Sequence, residues 1–146
     1  LLDTQAGAEA ADKVEAYEGM ISTWASVGAV DELAQIVASI IIDEPVENER
    51  WIAKWKARPN ESIVEPGACL LGREDITDRL GEITVPALVV HGVNDTAIEM
   101  AHGEALAAGL VGSGPVVKVP GAHAANLTHP EPVNAAILDF LAGLPA

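Results

Sequence analysis

From Ala8 to Val27 the apolar residues Val14, Tyr17, Ile21, Trp24 and Ala25 return every three or four positions. That is the period of a helix with one buried face. Gly28 stands where such a helix stops. The same period predicts a second helix over Val30–Ile42, with Asp31 and Glu32 in its first turn. Pro45 is expected to end this region. Asn48 is the expected N-cap of a third helix that runs through Arg58 and stops at Pro59. Ser62 to Leu71 reads as a fourth, shorter helix interrupted at Pro66-Gly67, and Thr77 to Ile83 as a helical link.

The pattern changes near residue 84. Ala87-Leu88-Val89-Val90-His91 is a short apolar run closed by Gly92, as in a strand buried on both faces. A helix is predicted over Glu99–Leu110, ended by Gly112 and Gly114, and a second strand over Pro115–Val119, ended by Pro120-Gly121. The last helix runs from Pro130 to Leu141, with Ile137, Leu138 and Leu141 as its expected apolar stripe. Strand, helix, strand, helix implies a parallel pair joined by a right-handed crossover. Leu1-Leu2-Asp3-Thr4 resembles the end of a further buried strand, so the chain is expected to begin inside a fold and to leave a sheet edge open.

Composition narrows the function classes. Of 146 residues, 49% are hydrophobic, enough for a core, and the length suits one domain. Eight basic side chains against 22 acidic ones give a net charge of −14. That balance excludes nucleic acid, which needs clustered Lys and Arg, and disfavours an anionic membrane surface. No apolar run approaches the roughly 20 residues of a membrane helix. A single cysteine, Cys69, forms no internal disulfide and no cysteine-rich zinc site. It suits a reducing compartment, so a cytoplasmic location is expected. Cys69 itself is expected to be a small buried side chain.

Chemistry in an open parallel sheet sits at the carboxyl ends of its strands. Asp95 follows the first predicted strand and His123 follows the second. Their separation of 28 residues is one crossover long, so adjacent strands would bring the two loops side by side. A carboxylate that orients an imidazole is two-thirds of a nucleophilic triad. The plain alternative is a turn-forming Asp and a surface His.

The stretch from Asp78 to Leu141 resembles the C-terminal end of α/β-hydrolase fold enzymes. The matching pieces are Leu80-Gly81-Glu82-Ile83-Thr84-Val85-Pro86-Ala87-Leu88-Val89-Val90-His91-Gly92, then Asp95, then Pro120-Gly121-Ala122-His123, then Asn126-Leu127-Thr128-His129-Pro130-Glu131-Pro132-Val133-Asn134. The flavour is closest to β-ketoadipate enol-lactonase-like carboxylic-ester hydrolases. The resemblance implies an α/β fold in three parts. Residues 1–7 would end a sheet strand, 8–72 would form a helical cap, and 73–146 would be the C-terminal β-α-β-α edge of the hydrolase sheet. It also implies that Asp95 is the triad acid and His123 the triad base. Two features depart from the family. Its usual Gly between Ala and His is absent, so Ala122 meets His123 directly, and no Pro follows the acid in Ala97-Ile98-Glu99-Met100.

The family's nucleophile sits in G-x-S-x-G on a strand-to-helix turn. Ser22, Ser26, Ser39, Ser62 and Ser113 all lie outside that motif. The chain is therefore expected to supply acid and histidine of a hydrolase acting on an ester, lactone or similar acyl bond, but not its nucleophile. Serine esterase chemistry and chemistry with an aspartate nucleophile both stay open, and the isolated chain is expected to be inactive. The alternative is a non-catalytic half-hydrolase module that self-associates or pairs with a separate N-terminal chain. Expected partners are a small acyl substrate and either the N-terminal half of the hydrolase or a second copy.

Other residues carry weaker signals. Trp51 and Trp55 share a helix face and, with Trp24 and Met20, would line a substrate pocket or simply pack the cap. Asp3 is expected to be structural. His129 at a helix start reads as packing. His91, Asp95, His123 and His129 offer zinc-compatible atoms without the H-E-x-x-H spacing, so no metal and no cofactor are expected. Arg73 and Arg79 are expected to pair with neighbouring acids.

Overall fold

A computed structural model describes residues 1–145. The chain divides into two compact units. One comprises residues 1–6, 40–43 and 76–146, and the other residues 7–39 and 44–75.

The second unit is helical. It contains α1 (Ala11–Val27), most of α2 (Asp31–Ile41), α3 (Pro45–Lys56), a 3-10 turn (Asn60–Ile63) and α4 (Val64–Leu71). Its core is built from Trp24, Ala29, Ala34, Ala38 and Ile52, with Leu33, Val37, Trp55 and Ile63 packed around them. Ala34 and Ala38 are wholly buried, four apart on one face of α2, so that face is narrow and admits close neighbours. Gly28 ends α1 at φ 85°, and its N–H returns to Trp24 O at 2.8 Å. Only glycine takes that backbone without strain.

Four expectations need correction here. Pro45 does not close a region. It opens α3, where a missing N–H costs nothing, and the cap is Glu44 rather than Asn48. The Glu44 carboxylate accepts from Val46 N at 3.3 Å and Glu47 N at 2.8 Å. Pro66 does not interrupt α4, because it occupies the first turn, where the N–H has no helical acceptor anyway. Cys69 is exposed.

The first unit holds the sheet. β1 (Val90–Gly92) and β2 (Val117–Val119) pair in parallel, with Val90 opposite Val117 and Gly92 opposite Val119. Leu2 forms a single parallel bridge to Val90, on the edge of β1 away from β2. Both strands are shorter than the apolar runs that announce them, and Ala87 meets Ser113 in an isolated bridge. Between the strands lies α5 (Met100–Gly109), and after β2 come α6 (Ala125–Thr128) and α7 (Pro130–Ala142).

Strand alternation sends neighbouring side chains to opposite faces. Val89 packs with Leu80, Leu106, Ala107 and Leu110, whereas Val90 packs with Val119, Ala125 and Val133. The sheet is thus covered by α5 on one side and α7 on the other. Each fully buried Val contributes about 1.5–3 kcal/mol. The expected stripe on α7 is corrected. Val133 and Ala136 face the sheet, while Ile137, Leu138 and Leu141 are 40%, 66% and 54% exposed.

Candidate active site

β1 ends at Gly92, and the chain turns at once. Val93 N donates to Val119 O at 2.9 Å, Asn94 N to Gly121 O at 3.0 Å, and Asp95 N back to Gly92 O at 3.2 Å. The loop after β1 is therefore stitched to the loop after β2. A side chain on Gly92 would meet Ala122 O at 2.5 Å and Gly121 O at 2.6 Å, so glycine is what lets the two loops touch. Gly121 itself has φ 110° and turns the chain toward His123.

Asp95 and His123 meet at this junction. His123 Nδ1 donates to Asp95 Oδ2 at 2.9 Å. Asp95 Oδ1 accepts from Ala97 N and Ile98 N, both at 2.9 Å. The side chain of Asp95 is fully buried and that of His123 is 27% exposed. A buried carboxylate with three donors is held in one orientation, and it fixes the imidazole tautomer with the proton on Nδ1. His123 Nε2 has no hydrogen-bond partner among the described residues and is the nitrogen left to exchange protons. The missing Gly before His123 does not stop the imidazole reaching the acid.

His91 and Asp3 lie behind this pair. His91 is fully buried in the middle of β1, and its Nε2 donates to Ile98 O at 2.8 Å, 3.5 Å from Asp95 Oδ2. Its Nδ1 has no partner and faces α5, where a side chain on Gly103 would lie 2.5 Å away. Asp3 has φ 44° and is 4% exposed. Its Oδ1 accepts from Gly92 N at 2.6 Å, and its Oδ2 is buried without a partner. Burial pushes the Asp3 carboxyl above the usual carboxylate range. The Gly92 N–H and the nearby His91 act against that rise, and the Asp95 charge adds to it.

Asp3, His91 and Asp95 place ligand-type atoms within 4.8 Å of one another. The Asp95 oxygens and His91 Nε2 are already engaged by Ala97 N, Ile98 N, His123 Nδ1 and Ile98 O. Asp3 Oδ2 and His91 Nδ1 are the atoms of this set without a partner, so an ion that took an Asp95 oxygen as its third ligand would do so at the expense of the bonds that hold Asp95 to Ala97, Ile98 and His123. His129 Nδ1 lies 2.9 Å from the Thr128 hydroxyl and packs under the Gly121 turn. His102 is exposed on α5. Arg79 pairs with Glu82, as expected, but Arg73 reaches Glu9 rather than a neighbour in sequence.

The three tryptophans all lie in the helical unit. Trp24 and Trp55 meet edge to face at 5.7 Å, and Trp51 and Trp55 are tilted at 6.5 Å. They line a cavity of about 610 Å³ with Met20, Lys54 and Arg58. No carboxylate lines it, in a chain with 22 acidic side chains. Lys54 Nζ sits 4.1 Å above the Trp51 ring. The two cations escaped the sequence reading, although 51, 54 and 55 share a face of α3 and Arg58 follows just past its end.

No helix among the described residues is long and apolar enough to cross a membrane. The chain matches no family model. Over 68 residues it is 40% identical to the 2-hydroxy-6-oxononadienedioate/2-hydroxy-6-oxononatrienedioate hydrolase of Klebsiella pneumoniae, a stretch covering 47% of this chain and 24% of that protein. A hydrolase from Pseudomonas aeruginosa, 25% identical, aligns with a TM-score of 0.81 over 99% of this chain and 54% of its own. The enol-lactonase from Burkholderia xenovorans, 22% identical, aligns at 0.82 over 97% of this chain and 55% of its own. The chain spans about half the length of these solved relatives. It has the α/β-hydrolase fold and corresponds to the C-terminal part of that fold.

Proposed function

We propose that this chain supplies the acid and the histidine of an α/β-hydrolase acting on an ester, lactone or similar acyl bond. The observation that carries the reading is the 2.9 Å contact of His123 Nδ1 with a buried Asp95 whose other oxygen takes two backbone N–H groups. In the reaction, His123 Nε2 takes the proton of an attacking hydroxyl as the oxygen–carbon bond forms. It then gives that proton to the leaving oxygen as the acyl–oxygen bond breaks. Water repeats the cycle on the acyl-enzyme. Asp95 stabilises the imidazolium between the two transfers. The nucleophile belongs to residues outside this sequence. Residues 8–72 are the cap, and the cavity of Trp24, Trp51 and Trp55 receives the apolar part of a small acyl substrate.

The test uses the whole polypeptide that carries these residues, assayed with p-nitrophenyl esters. His123→Ala and Asp95→Asn are each expected to lower kcat by about 10³–10⁴-fold. Unchanged turnover in either variant overturns the reading. The 146-residue chain alone is expected to give no acyl-enzyme burst. A stoichiometric burst from it would refute the assignment of the nucleophile elsewhere.

A second reading is a non-catalytic module that pairs with a separate N-terminal chain or with its own copy. What supports it is apolar exposure on the sheet unit, at Leu1 (57%), Val111 (67%), Leu138 (66%) and Leu141 (54%). A strictly monomeric chain in sedimentation, unfolding cooperatively, argues against that pairing.

A further inference from the structure

We propose that Asp3 is a positioning residue for the Asp95–His123 pair, acting through Gly92; this rests on the hydrolase reading above. Three contacts converge on Gly92. Its N–H is held by Asp3 Oδ1 at 2.6 Å. Its carbonyl accepts from Asp95 N at 3.2 Å. Its Cα lies against the carbonyls of Gly121 and Ala122, the two residues before His123. Gly92 is therefore the hinge shared by the acid loop and the histidine loop, and Asp3 is the side chain that grips it.

The grip is built at some cost. Asp3 holds a left-handed backbone, φ 44°, which non-glycine residues adopt rarely and Asp more readily than most. Its carboxyl is buried with only one of its oxygens bonded. Backbone bonds on both sides of Leu2, Asp3 N to Val90 O at 3.0 Å and Val90 N to Leu1 O at 2.9 Å, hold the segment that leads into Asp3 against β1. The charged or titratable groups facing it are His91, Asp95 and His123. No hydrogen bond or ion pair joins Asp3 to His123 among the described residues, so its effect is on placement and not on the proton itself.

The experiment separates placement from folding and from the hydrolase reading. In the whole polypeptide, Asp3→Ala is expected to lower kcat by about 10–100-fold with KM changed by less than about two-fold, since small misplacements act on the chemical step. Asp3→Asn keeps an acceptor for Gly92 N–H and should restore kcat to within about three-fold. In the 146-residue chain, the low-field proton signal of His123 Nδ1–H should be present in the parent and in Asp3→Asn, and broadened or lost in Asp3→Ala. If Asp3→Ala does not fold, Asp3→Glu replaces it, with the same loss of kcat expected. The proposal is overturned by a variant without the grip that keeps both kcat and the low-field signal. It is equally overturned if Asp3→Asn loses as much as Asp3→Ala. If His123→Ala leaves turnover intact, the hydrolase reading fails, and the low-field signal alone then decides whether Asp3 positions the pair.

Discussion

The sheet unit and the helical unit solve burial in opposite ways. Around the strand tips the interior is polar. Asp3, His91 and Asp95 are buried there and oriented by hydrogen bonds to Gly92, Ile98, Ala97 and His123. In the helical unit the interior is Trp24, Ala29, Ala34, Ala38 and Ile52, and direction comes from shape alone. Hydrogen bonds fix a side chain to a few tenths of an ångström, as proton transfer demands. Indole and alanine surfaces give room and apolar contact, which suits holding a molecule whose exact pose matters less. On the function proposed above, exacting chemistry belongs to one unit and tolerant recognition to the other.

Substitutions can break this contrast in a graded order. The largest effect is expected from Gly92→Ala, whose methyl group would press on the backbone of Gly121 and Ala122. The loss is about 3 kcal/mol in urea unfolding, with the Asp95–His123 signal abolished. A stable variant with that signal intact would mean that the loops do not depend on their close approach. Next comes Ala38→Leu, at a position with no exposed surface. Overpacking there should cost about 1–3 kcal/mol and leave the His123 signal unchanged. A disturbed signal would erase the distinction between the units.

The smallest effect concerns pH. Burial raises the Asp3 carboxyl above its unfolded value of about 3.9. The native state therefore binds this proton more tightly than the unfolded state does. The resulting stability is present at low pH and is lost as pH climbs from about 4 through the raised value. Asp3→Asn has no such proton. Relative to their difference at pH 4, the variant should gain about 1–3 °C in midpoint on the parent by neutral pH. A constant difference across that range would show that Asp3 titrates alike in both states.

How much of this was legible before folding follows from what each signal measures. Helical periodicity reports a buried face, and it located α1 and α2 because those faces meet a core, whereas α5 was delimited by the glycines that follow it. The same signal misled at α7, where Ile137, Leu138 and Leu141 are apolar yet uncovered. Periodicity cannot tell a face that is buried from one that is merely greasy. Asn48 looked like a cap by residue type, but Glu44 stood one turn earlier with Pro45 behind it and took the N–H groups instead. The two strands were visible as apolar runs, though longer than the hydrogen-bonded ladder. Asp95 and His123 were legible because loop position and spacing converge on them. Asp3 was read as structural without its partner, because φ 44° and a bond to a residue 89 positions away are not carried by a local pattern. The available hint was an acid at a third strand tip, next to the other two.

One consequence follows from where the indoles lie. All three tryptophans, and the single tyrosine, fall within residues 7–39 and 44–75, while the single phenylalanine, Phe140, belongs to the sheet unit. Fluorescence excited at the red edge of protein absorption therefore watches the helical unit alone and is blind to the strand tips. Circular dichroism, which follows backbone everywhere, sees both. Melting curves from the two methods, laid over one another, would tell whether the units come apart together or in turn, with no label attached to the chain.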